Sequence, residues 1–232
     1  MELLSIVIPA YNEEKYIAQV IQRVQAANIL GLKLEIIVIN DDSKDQTTHI
    51  LDNLASNSPT IRVFHQPQNM GKGAALRRGF TEANGDIILI QDADLEYDPV
   101  DYPGLLIPIL DGRADVVYGS RFLGAPHRVL YFWHYVANNF LTTLSNMTTN
   151  LNLSDMETGY KVFRSEIIKP IKLRSNRFGF EPEVTAKVAR CGCRIYETPI
   201  SYSGRSYAEG KKIGWKDGIQ ALYCILRYAW FD

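Results

Sequence analysis

Cysteine is scarce in this 232-residue chain. Cys191, Cys193 and Cys224 cannot all pair with one another, and a Cys-x-Cys step without a second ligand pair is poor material for a zinc site. That points away from a disulfide scaffold and towards a reducing, cytosolic compartment. An excess of one charge is missing too: 25 Lys and Arg face 26 Asp and Glu, a formal net charge of −1. No global field draws the chain to nucleic acid, which is not an expected partner, and any phosphate must be held by a few well-placed cations. Long apolar runs are also lacking. The longest stretch free of Asp, Glu, Lys and Arg, Val129 to Ser154, is broken by Asn138, Asn139, Thr142, Thr143, Asn146 and Thr148, so no membrane-spanning helix is expected. Met1-Glu2-Leu3-Leu4 runs straight into a strand pattern without the features of a signal peptide. Repeats, low-complexity tracts and Pro/Gly-rich linkers are absent, and the 46% hydrophobic content suffices for the core of one large domain spanning 1–232.

What is present is a rhythm. Apolar runs at Leu3–Ile8, Glu35–Ile39, Ile61–Phe64, Asp86–Ile90 and Ala114–Tyr118 alternate with amphipathic stretches at Glu13–Ala27, Asp45–Asn57 and Lys72–Ala83. Near-continuous Ile/Val/Leu runs suit parallel strands covered on both faces, so an α/β fold with a mostly parallel sheet is predicted. Ligands of such sheets gather beyond the carboxyl ends of the strands. Four of those ends are polar: Pro9-Ala10-Tyr11-Asn12-Glu13, Asn40-Asp41-Asp42-Ser43, Asp92-Ala93-Asp94 and Gly119-Ser120-Arg121. From about Gly124 the rhythm gives way to two long helical candidates, Arg128–Leu151 and Trp215–Trp230, around a mixed region. Trp133, Val136, Ala137, Phe140, Leu144, Met147 and Leu151 recur at helical spacing, which fits either core packing or a membrane-surface face.

Asp92-Ala93-Asp94 is the most informative triplet. Two carboxylates one residue apart at a strand end can share one Mg²⁺ or Mn²⁺, a hard cation that keeps positions open for a diphosphate. Glu96 is either a third oxygen ligand, direct or through water, or a solvated loop acid. Asp41, nearest the end of the second strand, is placed to accept a hydrogen from a nucleotide base, and Asp45 to cap a helix. Asn69-Met70-Gly71-Lys72-Gly73 lacks the full P-loop spacing; its glycines serve either close approach to a phosphate or ribose, or a turn into a packed helix. Arg121, Arg205 and Lys211 are the candidate phosphate cations, the last two in the basic segment Arg205 to Lys212.

Taken in order, Ile6–Glu14, Asn40–Thr47, Asp92–Leu95, Gly119–Phe122, Thr158–Arg164 and Arg205–Gly214 resemble the family 2 glycosyltransferases, in their dolichol-phosphate mannosyltransferase-like branch. The resemblance covers essentially the whole chain. It implies a GT-A type, Rossmann-like fold, with a nucleotide-sugar-binding half at 1–123 and an acceptor and membrane-surface half at 124–232. It also implies that Pro9, Tyr11, Glu13, Ile39 and Asp41 hold the nucleoside, with Lys72 nearby. Asp92, Ala93 and Asp94 would hold diphosphate and metal, joined by Glu96, and Arg121, Arg205 and Lys211 the phosphates. Asp94, Arg121, Arg205 and Lys211 form the expected catalytic set. Three residues depart from the pattern: Asp42 stands for a usual glycine, Glu96 where many members have glutamine, and Gly210 for a serine before the loop lysine.

The implied reaction is inverting transfer of a hexose, with GDP-mannose favoured over UDP-glucose, onto a polyprenyl phosphate at the cytoplasmic face of a membrane. The chain would dock there through its own amphipathic surface or a membrane-anchoring partner subunit. A phosphate monoester is already anionic near neutral pH, so a strong general base is not required. Glu183 is the reserve base should the acceptor be a hydroxyl, and otherwise a helix-start carboxylate. A nucleotide-sugar-binding regulatory subunit is the non-enzymatic alternative.

Overall fold

The computed structural model describes residues 2–129, 131–205 and 215–231. Among them, strands β1 (Leu3–Ala10), β2 (Lys33–Asn40), β3 (Ile61–His65), β4 (Ile87–Ile90), β5 (Val116–Ser120), β6 (Lys161–Arg164) and β7 (Ile195–Pro199) form one sheet in the order β3-β2-β1-β4-β6-β5-β7. Every pairing is parallel except those of β6, which runs antiparallel between β4 and β5.

The period-2 alternation of the strands builds two cores. Leu4, Ile6 and Ile8 of β1, Ile36 and Val38 of β2, and Ile87 and Leu89 of β4 face a layer made by α1 (Ile17–Ala26) and α4 (Tyr102–Leu110). Val7, Ile37, Ile39, Ile88 and Ile90, one residue out of phase, face α3 (Lys72–Glu82) and α7 (Phe180–Arg190). Both faces are covered, which is why these runs lack polar interruptions. The strand order reverses beside β1: the chain winds outward through β2 and β3, then returns to place β4 on the other flank. Such a switch point opens a crevice at the carboxyl ends of β1 and β4.

Several boundaries differ from the sequence expectation for local reasons. The first helix starts at Ile17 rather than Glu13, because Asn12 sits at φ 52° and the amides of Tyr16 and Ile17 both donate to the Glu13 carbonyl. Helix α2 runs Thr47–Asn57, and the predicted Arg128–Leu151 helix contracts to α5 (Phe132–Thr149). A short 3₁₀ turn, Pro99–Asp101, leads into α4, and the single turn α6 (Ser165–Ile168) follows β6.

Helix α5 is turned so that Thr142 and Ser145 are its buried residues, while Phe132, Trp133, Phe140 and Met147 are each at least 59% exposed. Helix α8 (Trp215–Trp230) packs beside it and exposes Ile219, Tyr223 and Leu226, with Phe231 just beyond. No helix among the described residues is long and apolar enough to cross a membrane.

Candidate active site

Strand β4 ends at Ile90, and the chain beyond it delivers Asp92, Asp94 and Glu96 to the crevice. The intervening Ala93 is buried in the core, which fixes the loop and turns its two neighbours outward. Two cations meet these acids. Lys72, the first residue of α3, places its ammonium 2.9 Å from Asp92 Oδ1 and 3.2 Å from Glu181 Oε1, at the start of α7. Burial works against that ammonium, but the charges of Asp92 and then Glu181 outweigh it and hold its pKa above the ordinary lysine value. Arg205 donates from Nη2 to Asp94 Oδ2 at 2.5 Å and from its backbone amide to Glu96 Oε1 at 2.7 Å. Its Nη1 lies 3.8 Å from Glu13 Oε2.

Glu96 is therefore not a solvated loop acid. It accepts the Tyr202 hydroxyl at 2.9 Å as well as Arg205, tying the chain after β7 across the mouth of the crevice. The acids remain crowded: burial first, then the charges of Asp92 and Glu96, push Asp94 up to about 7, with Arg205 pulling the other way.

At the β1–β2 end, the Asp41 carboxylate accepts from Gln66 Nε2 at 2.8 Å, from the Met70 amide at 2.8 Å and from the Gly71 amide at 2.7 Å. It shapes the turn into α3. Asp42 sits at φ 61°, a left-handed conformation that glycine adopts without cost and Asp tolerates, which accounts for the glycine usual at that place. Gly71 (φ 94°) is packed so that a Cβ would strike the Asn176 carbonyl, and one at Gly73 the Ser175 carbonyl. Close packing of helix against loop thus explains both glycines. Ile39 lies in the core beneath, Pro9 is half-buried, and Tyr11 is exposed at the rim.

Arg121 lies in a buried network. Its Nε and Nη2 grip Asp155 at 2.6 and 2.7 Å, Asn138 of α5 touches both partners at 3.2 Å, and the Tyr202 ring lies 5.1 Å from the guanidinium. Glu183 is fully buried and accepts the amides of Arg174 and Ser175, in the loop before α7, and the Lys187 ammonium. Lys211 lies outside the described residues. Among those described, no three His, Cys, Asp or Glu side chains converge as a metal site: Asp92 turns to Lys72, and Asp94 and Glu96 to Arg205.

The glycosyl transferase family 2 model matches residues 5–171, from β1 through β6 and the turn after it. The chain belongs to this family. Undecaprenyl-phosphate mannosyltransferase of Micrococcus luteus is 30% identical over 221 residues, 92% of this chain and 88% of that protein. Dolichol-phosphate mannosyltransferase of Pyrococcus furiosus is 28% identical over 214 residues, 91% of this chain, which spans only 59% of that relative's length. A dolichyl-phosphate beta-glucosyltransferase of Trichomonas vaginalis is 31% identical over 216 residues, 86% of this chain and 65% of that protein. These relatives put the chain in the dolichol-phosphate mannosyltransferase-like branch of family 2. In shape it is similar to glucosyl-3-phosphoglycerate synthase of Mycobacterium tuberculosis, solved with Mn²⁺, UDP and phosphoglyceric acid. The TM-score is 0.76 at 22% identity, over all of this chain and 80% of that one, a likeness of GT-A fold.

Within this family 2 fold, residues absent from the sequence reading turn out to organise the crevice. Glu181 is two positions from Glu183, hence about 200° around the helix. One of them faces Lys72 and the other the 174–175 backbone. The sequence pointed to Glu183 alone, and only the phase of α7 brings Glu181 to Lys72. Asp155 stood in a polar stretch without any periodic signal.

Proposed function

We propose that this protein is an inverting glycosyltransferase that moves a hexose from a nucleotide-sugar, GDP-mannose in preference to UDP-glucose, onto a polyprenyl phosphate. The observation that carries the reading is the meeting of Asp92, Asp94 and Glu96 with Lys72 and Arg205 at the switch point of a family 2 fold. The names of two relatives, both mannosyltransferases acting with polyprenyl phosphates, favour mannose and a lipid phosphate.

In the mechanism, Asp41 shapes the pocket for the base through the Met70–Gly71 turn, while Pro9, Tyr11 and Glu13 line its rim. Asp92 and Asp94, with Glu96 directly or through water, are the hard oxygen donors that suit Mg²⁺ or Mn²⁺. Such a cation would neutralise the departing diphosphate. Lys72 and Arg205, already beside those carboxylates, are in reach to turn onto phosphate oxygens. Arg121, its charge balanced by Asp155, braces the end of β5, and Lys211 joins the phosphate cations. The attacking lipid phosphate oxygen is anionic near neutral pH, so none of these residues has to remove its proton. Glu183, locked against Arg174 and Ser175, leaves the hydroxyl-acceptor alternative without its proposed base.

The exposed aromatic stripe of α5 and the apolar edge of α8 suit docking on a lipid surface, which brings the acceptor headgroup to the crevice and makes the protein peripheral at the cytoplasmic face. A membrane-anchoring partner subunit would serve the same end. The test is a thermal-shift panel of GDP- and UDP-sugars with and without Mn²⁺, followed by product analysis with a polyprenyl phosphate. A Mn²⁺-dependent stabilisation by GDP-mannose and a mannosyl lipid product are expected. Nucleotide-sugar binding with no product from several polyprenyl phosphates would favour a regulatory subunit instead.

A further inference from the structure

Buried polar atoms in folded proteins are almost always paired. Among the described residues, Glu157 Oε1, Thr158 Oγ1, Glu181 Oε2 and Thr198 Oγ1 are buried without a hydrogen-bond partner. Three of these four belong to two segments that meet at Asp92. The Glu157-Thr158-Gly159 turn is pressed against that carboxylate so closely that a Cβ on Gly159 would collide with Asp92 Oδ2 and come within 2.9 Å of the Tyr97 ring. Glu181 is joined to Asp92 through the Lys72 ammonium. Thr158 is fully buried and Glu181 nearly so. The neighbouring Lys161 does not relieve them, because its ammonium is held by the carbonyls of Met156 and Thr158.

We infer that Glu157, Thr158 and Glu181 form the wall that reads the hydroxyl groups of the donor's sugar. The unpaired atoms are a hydroxyl oxygen, which can donate and accept, and carboxyl oxygens, so their missing partner offers hydrogen-bond donors and acceptors together. An anion is disfavoured beside Glu181, and Lys72 already supplies the local positive charge. A neutral polyhydroxylated ring answers both requirements. Its place follows from Asp92, which Glu181 reaches through Lys72 and the Glu157–Gly159 turn touches at Gly159, and beside which a sugar attached to a bound diphosphate would sit. Burial, and then the charge of Glu181, push the Glu157 carboxyl up to about 8, so near neutral pH it keeps its proton and can both donate to and accept from a hydroxyl.

The inference rests on the proposed nucleotide-sugar reaction, and the test separates the two. The full chain is assayed with Mn²⁺, measuring kcat/KM for GDP-mannose and UDP-glucose and the inhibition constants of GDP and UDP. Thr158→Val deletes only the unpaired oxygen and keeps the side-chain shape, so it is expected to fold at least as stably as the parent. Glu181→Gln removes the charge. Each is expected to lower kcat/KM for the preferred sugar nucleotide about tenfold or more, while GDP and UDP inhibit within about twofold of the parent. Equal losses for sugar nucleotide and nucleoside diphosphate, or an unchanged kcat/KM in both variants, would overturn the inference and leave the parent activity standing. A parent protein that binds neither nucleotide class would instead overturn the reading beneath it.

Discussion

The Arg121–Asp155 pair offers the sharpest test of how the crevice is held. Asp155 is wholly buried and Arg121 has 16% of its side chain exposed. The carboxylate accepts from Arg121 Nε, Nη2 and backbone amide and from Asn138 Nδ2. Removing one member of a buried ion pair leaves the other charge without compensation, at a cost of about 3–5 kcal/mol. In a domain of this size 1 kcal/mol moves the melting temperature by roughly 2–4 °C, so Asp155→Ala should melt about 6–20 °C lower. Asp155→Asn keeps the volume but aims an amide N–H at a donor, and should fall at the lower end of that range. The double variant Arg121→Met/Asp155→Leu, which removes both charges, should recover much of the loss. Circular dichroism during heating, backed by urea titration, measures all of these. A melting temperature for Asp155→Ala within about 3 °C of the parent would mean that water reaches the pair, and the account of Arg121 as a buried, pinned cation would be wrong.

Three other consequences can be checked directly. Gly159→Ala should force Asp92 and Tyr97 apart, destabilising the fold by about 1–3 kcal/mol in urea titrations and weakening Mn²⁺-dependent binding of GDP in calorimetry. Replacing Trp133 and Phe140 together by Ser should weaken co-sedimentation with anionic phospholipid vesicles about tenfold or more while leaving the melting temperature within about 2 °C, since both side chains face solvent in the free protein. Asp94→Asn should abolish metal-dependent sugar transfer and, by removing one of three crowded acids, should not lower stability in the absence of metal; a substantial loss of stability would show that the Arg205 contact holds the fold.

The first half of the sheet was legible because its strands are buried on both faces and read as unbroken Ile/Val/Leu runs, with turns of chemically distinct residues at their ends. The later elements were harder for identifiable reasons. Helix α4 carries Pro108 inside it, so sequence rules argue against a helix that the core nonetheless stabilises through Leu105, Leu106 and Ile109. Strand β6 is only four residues long, and its antiparallel pairing with β4 joins residues more than 70 positions apart, which local patterning cannot report. The spacing of α5 suited two environments equally; burial of Thr142 and Ser145 shows that its aromatic face is not the core-facing one. The carboxylates after β4 were found by position alone, but their present partners, Lys72 and Arg205, come from the start of α3 and from beyond β7. Only the folded chain brings those cations together.

Glu157 ties the chemistry of the crevice to the pH dependence of the whole fold. Its carboxyl is raised from 4.5 to about 8, chiefly by burial and next by the charge of Glu181, with Lys161 and Arg121 opposing. Between those two values the native protein holds a proton that the unfolded chain has released. Folding therefore takes up a proton in that window, and stability falls as pH rises from about 4.5 to about 8, by up to 1.36 kcal/mol per pH unit, or a few kcal/mol in all. Above about 8 both states are ionised at this site and the slope from Glu157 ends. Lys161, lowered to about 8 mainly by burial, acts in a different window: its slope begins near pH 8 and has the opposite sign, because there the unfolded chain holds the extra proton. Glu157→Gln stays neutral at every pH and should flatten the decline between pH 5 and 8, and, because the Glu157 charge helps Lys161 keep its proton, the rise from Lys161 should begin at a lower pH. Urea titrations of parent and variant at half-unit pH intervals measure the difference. Parallel curves for the two proteins would mean that Glu157 ionises normally, and a carboxyl that ionises normally would meet a sugar hydroxyl as an acceptor alone.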